Sequence, residues 1–423
     1  MLKRDQEILR TLAEEIAEIA ALPVQEETRQ CWYALHRLEP KRPMFMIDEL
    51  PWNEMNVNDE LTLRCEDPFY QYLESKLRQQ IYRWKHFRDD FVYDPVIYVP
   101  KKIRGILTGA NGIDGEALNF GIAVEEDTIE HETGNVIVAH EYFDQLQTRE
   151  DLQKVEFPAI SLDAEETNKR HEMASEALDG ILKVEMNGVI PYFNMWDELV
   201  TWRGFDNMLY DLVDDPEFMH ETVDHVTNAY LAGLDRLEEQ GLLGKVPQLV
   251  HCCGAWTDRL PQEGYDPEHP RAKDLWTFGM AQIFCTVSPE LHNEFEVEYA
   301  KKWYGRFGLG YYGCCEPLDD RMDYIKTIPN ILKISVSAWV KDYDRIAEEL
   351  ADQYVYSSKP TPAHLIGAAW DRDVVEKDLR RLLKSADRYG CASEFTLKDI
   401  STVDHHPEHV WEWADIMRAI AHG

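Results

Sequence analysis

The sequence has no apolar run long enough to cross a bilayer, and its first residues lack the apolar core of a signal peptide. Residues 1–21 instead mix apolar and charged side chains at helical spacing, with Ile8, Leu12 and Ile16 on one face. These two absences argue against a membrane-spanning helix and against a secretory leader. We therefore expect a cytoplasmic protein.

Basic residues are also scarce. The 423 residues include 44 lysines and arginines against 79 aspartates and glutamates, which gives a net charge of −35. So acidic a chain gains nothing from counterion release on nucleic acid, and anionic lipid repels it. We expect neither nucleic acid nor a membrane surface as a partner. An anionic substrate would need a local basic pocket.

The eight cysteines do not follow the spacing of a disulfide framework. Four of them form two adjacent pairs, Cys252–Cys253 and Cys314–Cys315, and adjacent cysteines make poor cross-links. The pattern is typical of a reducing compartment. It favours thiols that bind metal or react, in a chain whose 44% apolar content is ample for a packed core.

The pair Cys314–Cys315 follows a short apolar strand, residues 309–312, and is followed by Glu316. Neighbouring strand residues point to opposite faces, so both thiols reach one site only where the backbone turns. Thiolates beside a carboxylate suit zinc, which accepts sulfur and oxygen ligands together. The alternative is that Cys314 and Cys315 are small buried residues that pack as weak hydrophobes.

The pair Cys252–Cys253 follows another apolar run, residues 246–250, and is preceded by His251. In a parallel barrel all such strand ends meet on one face, where active sites lie. We therefore predict His251, Cys253, Cys314 and Cys315 as metal ligands. His251 could also be a hydrogen-bonded histidine of the core or rim.

Apolar runs that alternate with helical patterns predict a single (β/α)₈ TIM barrel over residues 41–423. The runs are 43–47, 91–99, 188–194, 246–253, 309–312, 330–337, 354–358 and 393–400. Residues 1–40 are predicted as an N-terminal helical extension, and about 100–160 as an excursion of loops with a hairpin. Residues 254–280 are too long for a simple connection and predict a lid.

Three stretches make the chain resemble the uroporphyrinogen decarboxylase superfamily. Residues 288–295 resemble the family's serine-proline helix start, with Glu-Phe five to six residues on. The strand end at Cys314–Cys315 falls where zinc-dependent relatives carry His-x-Cys-Gly. Residues 359–362 occupy the slot of the family's Gly-Asn-x-Asp-Pro turn. The resemblance spans roughly 188–412, and the first 160 residues match only in broad layout.

The resemblance implies one of two chemistries. The decarboxylases bind a tetrapyrrole with arginines and use no metal. The methyltransferase branch moves methyl groups between corrinoid proteins, thiols and methylated substrates, and uses zinc held by a His-x-Cys pair and a cysteine on the last strand. This chain departs from both patterns. Its loop 48–54 is acidic, Gly313 stands in the histidine's slot, and Lys398-Asp399 stand where the last cysteine is expected.

The chain most resembles the corrinoid-linked branch. This implies a demethylase-type methyltransferase of a small methylated substrate, with zinc and with a corrinoid such as methylcobalamin carried by a partner protein. The zinc ligands would then differ from those of the family and would be Cys314 or Cys315 with Glu316 and His251. One alternative is a metal-free decarboxylase or lyase in which Arg203 and Lys398 bind an anion. Another is a non-catalytic barrel that binds a corrinoid or tetrapyrrole.

The remaining site residues are predicted from their positions after strands. The catalytic set is Glu316, Arg203, Lys398 and Asp399, and the substrate-binding set is Glu49, Asn53, Trp196, Trp256, Trp339 and Lys359. Tryptophans at a barrel mouth favour an aromatic or cationic small molecule, although with 12 of them they can simply cap the barrel.

The last strand leaves three alternatives open. Lys398 can point inward and pair with Glu316 or a substrate anion, Asp399 can complete the metal sphere, or both can lie in solvent. Assembly as a homodimer is also left open.

Overall fold

The structure is a computed structural model that describes residues 3–109, 113, 115–129, 139–245, 247–367 and 370–423. Its α-helices are α1 Lys3–Ala20, α2 Pro23–His36, α3 Pro68–His86, α4 Ala164–Leu178, α5 Met195–Arg203, α6 Phe205–Asp214, α7 Pro216–Glu239, α8 Pro289–His292, α9 Glu298–Tyr304, α10 Met322–Ile325, α11 Tyr343–Leu350, α12 Arg372–Arg388 and α13 Glu408–His422. Its strands are β1 Met44–Ile47, β2 Val96–Pro100, β3 Ile103–Arg104, β4 Glu126–Ile129, β5 Ala139–Tyr142, β6 Ser161–Leu162, β7 Lys183–Asn187, β8 Leu249–Val250, β9 Cys253–Gly254, β10 Trp276–Gly279, β11 Leu309–Tyr312, β12 Ile331–Val336, β13 Val355–Ser358 and β14 Ala392–Leu397.

Six parallel strands form the central sheet, in the order β1-β14-β13-β12-β11-β10. Their residues are almost all buried, as expected of a parallel sheet covered on both faces. The sheet is curved, and β2 pairs with β7 as a separate parallel pair. The α/β class is thus confirmed. The other described strands form three antiparallel pairs, β3–β6, β4–β5 and β8–β9, and a full eight-stranded barrel is not confirmed.

Most of the predicted strands are confirmed with shifted ends. The runs at 43–47, 309–312, 330–337, 354–358 and 393–400 correspond to β1, β11, β12, β13 and β14. The run at 91–99 becomes a strand only from Val96, because Pro95 has no N–H to donate to a ladder. The run at 188–194 lies just after β7 and makes single bridges at Val189 and Phe193.

The run at 246–253 does not form the predicted barrel strand. Val246 lies outside the described residues, and the chain after it folds back as a tight antiparallel hairpin, β8–β9. His251 and Cys252 form the two-residue turn of this hairpin. Lys333 Nζ, from β12, donates to the carbonyl oxygen of Gly254 at 2.5 Å, so the hairpin packs against the sheet.

The predicted lid at 254–280 is wrong in its last part. Trp276–Gly279 is β10, which pairs in parallel with β11 and is buried at all four positions. The indole Nε1 of Trp276 donates to the carbonyl of Ala255 at 3.0 Å and ties the strand to the segment after the hairpin. These residues therefore belong to the sheet.

The N-terminal helices are confirmed as α1 and α2, and α2 contributes to the core of the sheet. Trp32 is fully buried, and its Nε1 donates to the Asp90 carbonyl at 2.7 Å. Its ring lies 5.7 Å from that of Trp256, and the Lys333 ammonium lies 5.4 Å from it.

The excursion at about 100–160 contains the predicted hairpin, as β4 paired with β5. Each helix in the described part of the chain is too short or too polar to cross a membrane.

Candidate functional site

Four chain segments bring chemically active side chains to the carboxyl edge of the sheet. The segments after β1, β11 and β14 carry Glu49, Cys314–Cys315 and Lys398–Asp399. The turn of the β8–β9 hairpin supplies His251 and Cys252. Ligands of open α/β sheets bind outside the carboxyl ends of the strands. The position is therefore that of a candidate active site.

Each of these segments passes through left-handed backbone shortly after its strand ends. The angle φ is +50° at Glu49, +51° at His251, +55° at Asp399 and +88° at Gly313. Non-glycine residues rarely adopt such angles, and strained residues of this kind concentrate at functional sites. At Gly313 an added Cβ would lie 2.7 Å from a leucine methyl carbon. The turns let adjacent side chains point into one site, which a straight strand forbids.

The thiol of Cys314 is the centre of the cluster. The residue is buried, and its Sγ lies 3.6 Å from His251 Nε2 and 3.6 Å from Cys315 Sγ. Lys398 Nζ donates to the same sulfur at 2.9 Å. Three segments of the chain therefore meet at one sulfur atom.

A second set of contacts connects the carboxylates to this thiol. The S–H of Cys315 donates to Asp399 Oδ2 at 2.9 Å. The backbone N–H of Asp399 donates to Glu49 Oε2 at 3.1 Å, and Glu49 Oε1 lies 3.5 Å from His251 Nε2. The contacts form a closed ring of two thiols, an imidazole and two carboxylates.

Two groups of side chains at this site could each hold a metal ion. Glu49, His251 and Cys252 form one, and Cys314, Cys315 and Asp399 form the other, with the ligand atoms of each group within 4.8 Å of one another. Sulfur, imidazole nitrogen and carboxylate oxygen are the donors that zinc accepts. The donor set therefore fits the predicted zinc. Among the described residues, a third group (His406, Glu408 and His409) lies in and just before α13.

Lys398 places an ammonium among these same donors. Its side chain is 2% exposed. Besides Cys314, its Nζ contacts Asp399 Oδ2 at 3.0 Å, Glu49 Oε2 at 3.5 Å and His251 Nε2 at 3.5 Å. The hypothesis that Lys398 pairs with Glu316 is wrong, and so is its placement in solvent.

The charges of the ring shift the pKa values of its members. Burial lowers the pKa of His251, but the Cys314 hydrogen bond and the nearby charges of Cys314 and Glu49 outweigh it and raise the pKa above its usual value. For Asp399, burial raises the pKa, but hydrogen bonds and the charge of Lys398 outweigh it and bring the pKa to about 2. The site thus favours an anionic Asp399 beside the Lys398 ammonium.

Cys253, predicted as a metal ligand, lies deeper and outside both groups. Lys359 Nζ donates to its Sγ at 2.9 Å, and Ser357 Oγ lies 3.4 Å away. Burial raises the pKa of this thiol to about 11. Cys252, and not Cys253, lies in the group with the His251 imidazole. Lys359, predicted to bind substrate, is itself buried in this inner network.

Glu316 supports the turn that carries the thiols. It is buried, its Oε2 accepts the backbone N–H of Cys314 at 2.9 Å, and its Oε1 accepts that of Ala281 at 3.2 Å. Both carboxylate oxygens are thus engaged by the backbone. The contacts are those of a positioning residue and leave the predicted ligand role without support.

Several residues near the ring were not predicted from the sequence. Asp197, at the start of α5, has its pKa raised to about 7 by burial and by the charge of Glu316, and it hydrogen-bonds with Gln282. The His251 ring stacks on Phe278 at 4.2 Å. The hydroxyl of Tyr192 accepts the backbone N–H of His251 at 2.9 Å. These contacts arise from long-range packing, for which local sequence offers no signal.

The other predicted site residues lie apart from the ring. Arg203 pairs with Asp211 and donates to the Leu146 carbonyl, and its guanidinium lies over Phe218. Among the tryptophans predicted to bind substrate, Trp196 and Trp256 are buried, each packed on other aromatic rings, whereas Trp339 is 71% exposed. Asn53 is exposed on the loop after β1.

Comparisons with known proteins support the fold. No family model matches the chain, and no curated protein matches it. Among solved structures, the chain is similar to a methyltransferase from Methanosarcina mazei, with 10% sequence identity and a TM-score of 0.52. The similarity covers 92% of this chain and 99% of that chain. At this identity the likeness concerns the arrangement of helices and strands.

Proposed function

We propose that this chain is a methyltransferase that moves a methyl group between a small methylated substrate and a corrinoid carried by a partner protein, with zinc at the thiol ring. The observation that carries the proposal is the convergence of Cys314, Cys315, His251 and Asp399 at the carboxyl edge of the sheet. The fold likeness to a methyltransferase and the resemblance to the uroporphyrinogen decarboxylase superfamily, whose members have TIM barrels, give it further support.

The proposed metal ligands are Cys314, Cys315 and Asp399, with His251 beside them. When bound, zinc can lower the pKa of a thiol or act as a Lewis acid on a substrate oxygen. Soft thiolates favour zinc over magnesium or calcium, which prefer all-oxygen sites.

The chain's own groups would supply the proton that methyl transfer requires. When the carbon–oxygen bond of an O-methyl compound breaks, the methyl passes to the acceptor and the leaving oxygen takes a proton, whereas a methylated ammonium compound releases a neutral amine and needs none. Asp197 is suited to this role, because burial and the charge of Glu316 raise its pKa to about 7. A group with this pKa can donate a proton at neutral pH and regain it from water.

A cavity that none of the ring residues lines, but that Tyr192 links to the ring, offers space for a small substrate. It measures about 300 Å³, and its lining includes Tyr192 and Gln248 together with the charged residues Lys76 and Glu116. Tyr192 connects it to the ring through its hydrogen bond with His251. Aromatic and amide side chains suit a small aromatic or methylated ammonium compound.

The test is a methyl-transfer assay with reduced cobalamin as acceptor. Zinc-loaded protein is supplied with a panel of O-methyl aromatic and methylated ammonium compounds, and the loss of the cob(I)alamin absorption is followed. We expect turnover with at least one compound, and its loss in Cys314→Ser but not in Cys285→Ser, which changes an exposed thiol. Release of carbon dioxide from uroporphyrinogen would favour the decarboxylase alternative and contradict the proposal.

A further inference from the structure

The ammonium of Lys398 stands where the donors of the two metal-binding groups converge. It contacts Cys314 and Asp399 of one group, and His251 and Glu49 of the other. All four distances lie between 2.9 and 3.5 Å. A buried cation surrounded by a thiol, an imidazole and two carboxylates has the surroundings of a bound metal ion.

The ammonium and a zinc ion exclude each other from this position. A zinc ion bound to Cys314 would lie about 2.3 Å from its sulfur, whereas the ammonium already lies 2.9 Å from it. Two cations this close repel strongly inside a protein. The Lys398 side chain has four flexible carbons, so its head group can move while its backbone stays in place.

Glu49 is positioned to receive the displaced ammonium. Its Oε2 is already 3.5 Å from Lys398 Nζ, and the backbone N–H of Asp399 donates to the same oxygen at 3.1 Å. The carboxylate is therefore fixed by the backbone whether or not Asp399's side chain binds metal. Its side chain is 33% exposed, which leaves room for the ammonium to move outward.

We propose that Lys398 is a built-in cation that occupies the metal position of the ring, and that zinc enters by displacing its ammonium from Cys314 onto Glu49. The inference rests on the proposed zinc site and adds to it the residue that sets metal affinity. In the metal-free protein the ammonium neutralises the donors and holds them together. In the zinc-bound protein the Lys398–Glu49 pair lines the open side of the site.

The first test compares zinc affinity by competition with a chromophoric chelator, at fixed pH and salt. Removal of the competing charge in Lys398→Met should tighten zinc binding by roughly tenfold. Lys341→Met, which removes an equal charge from an exposed position, should leave the affinity unchanged. Unchanged or weaker binding in Lys398→Met overturns the inference while leaving the zinc site intact. If neither the wild type nor Lys398→Met binds zinc, the zinc site and the inference fall together.

The second test is a double-mutant cycle that shows whether Glu49 accepts the displaced ammonium or binds zinc itself. Glu49→Gln should weaken zinc binding in the wild-type background, because the displaced ammonium loses its anionic partner. The same change should have no effect in the Lys398→Met background. An equal loss in both backgrounds would make Glu49 a metal ligand and contradict the displacement.

A third measurement uses the wild-type protein, so it does not depend on the folding of a variant. Lys398 is labelled with an amine-acylating reagent, with and without zinc, and the modified peptide is quantified by mass spectrometry. The buried ammonium should react slowly in the metal-free protein and at least several-fold faster with zinc. Equal or slower labelling with zinc overturns the inference.

Discussion

At the residue scale, the chemistry of the ring depends on side chains that meet only in the folded chain. Cys315 donates its S–H to Asp399, and Asp399 also faces Lys398. A carboxylate that accepts from a thiol and faces an ammonium suits a metal ligand, because it supplies both an oxygen and a negative charge.

Asp399→Asn should therefore lower zinc affinity by about tenfold or more, since losses of this size follow the removal of groups around a metal. The chelator competition assay measures the change. Asp404→Asn is the matched control: Asp404 follows the same strand, is exposed, and also has left-handed backbone, with φ of +51°. An equal affinity in Asp399→Asn and the wild type would remove Asp399 from the metal site.

A second residue-scale prediction concerns the dependence of stability on pH. The pKa of Asp197 is raised to about 7 in the folded chain, against about 4 in an unfolded chain. Between these values the folded state binds more protons than the unfolded state. The free energy of unfolding contributed by this group therefore falls as pH rises from about 4 to about 7.

Asp197→Asn should flatten this fall, by at most ~1.4 kcal/mol for each pH unit between the two pKa values. Urea unfolding at several pH values measures it. Asp206→Asn, at an exposed position in α6, should leave the pH dependence as in the wild type. An unaltered pH profile in Asp197→Asn would show that the carboxyl titrates normally.

The sequence predicts much of the ring but not its detailed contacts. The thiols Cys314–Cys315 and the pair Lys398–Asp399 follow strands of one parallel sheet, so their meeting at one edge follows from the parallel strands. His251 reaches the same edge from the turn of an antiparallel hairpin. From the sequence, Cys253 is predicted as a ligand, whereas Cys252 lies in the group with His251, because the chain reverses there in a hairpin. Residues 251–254 read His-x-Cys-Gly, the pattern of the zinc-dependent relatives. The resemblance to the superfamily places that pattern at the strand end at Cys314–Cys315 and misses this match.

At the scale of elements, the site depends on turns. β11 ends at Tyr312, and Gly313, with φ of +88°, takes left-handed backbone just before the thiols. The short strand β10 was not predicted because its four residues lie in a long stretch rich in glycine and proline. Four residues, of which only Trp276 and Phe278 have large apolar side chains, carry too little periodicity to separate a strand from a loop.

Gly313→Ala tests the turn. A side chain at this φ is strained, by about 1 kcal/mol, and the new Cβ would lie 2.7 Å from Leu318 Cδ1. Gly390→Ala is the matched control, because its φ is +70° and nothing lies within 4 Å of an added Cβ.

Gly313→Ala should be destabilised by a further ~1–3 kcal/mol relative to Gly390→Ala, and it should bind zinc more weakly. Urea unfolding and chelator competition measure the two effects. Equal stabilities of the two variants would mean that the turn accommodates the added methyl group. Unchanged zinc binding in Gly313→Ala would mean that the metal site does not depend on this turn.

At the scale of the whole molecule, α2 and the sheet share one core. Trp32, in α2, is fully buried and stacks with His36, whose ring lies 5.2 Å from that of Trp276 in β10. The sequence places this helix in an N-terminal extension, since amphipathic periodicity reveals an apolar face but not the partner against which it packs.

Trp32→Ala should lower the free energy of unfolding by about 3–5 kcal/mol, as expected for the loss of a buried aromatic side chain. Trp339→Ala removes the same side chain from a position that is 71% exposed, and should change stability by about 0.5 kcal/mol or less. Thermal unfolding compares the two. Similar melting temperatures would place α2 outside the cooperative core.

The central proposal is that Cys314 and Cys315 bind a zinc ion at the active site. X-ray absorption at the zinc edge tests it most directly. The protein is purified without chelator and its metal content measured beside the spectrum. The account predicts about one zinc per chain, with two sulfur neighbours at about 2.3 Å that disappear in a Cys314→Ser/Cys315→Ser double variant. Zinc surrounded by nitrogen and oxygen alone, or retained in full by the double variant, would contradict it.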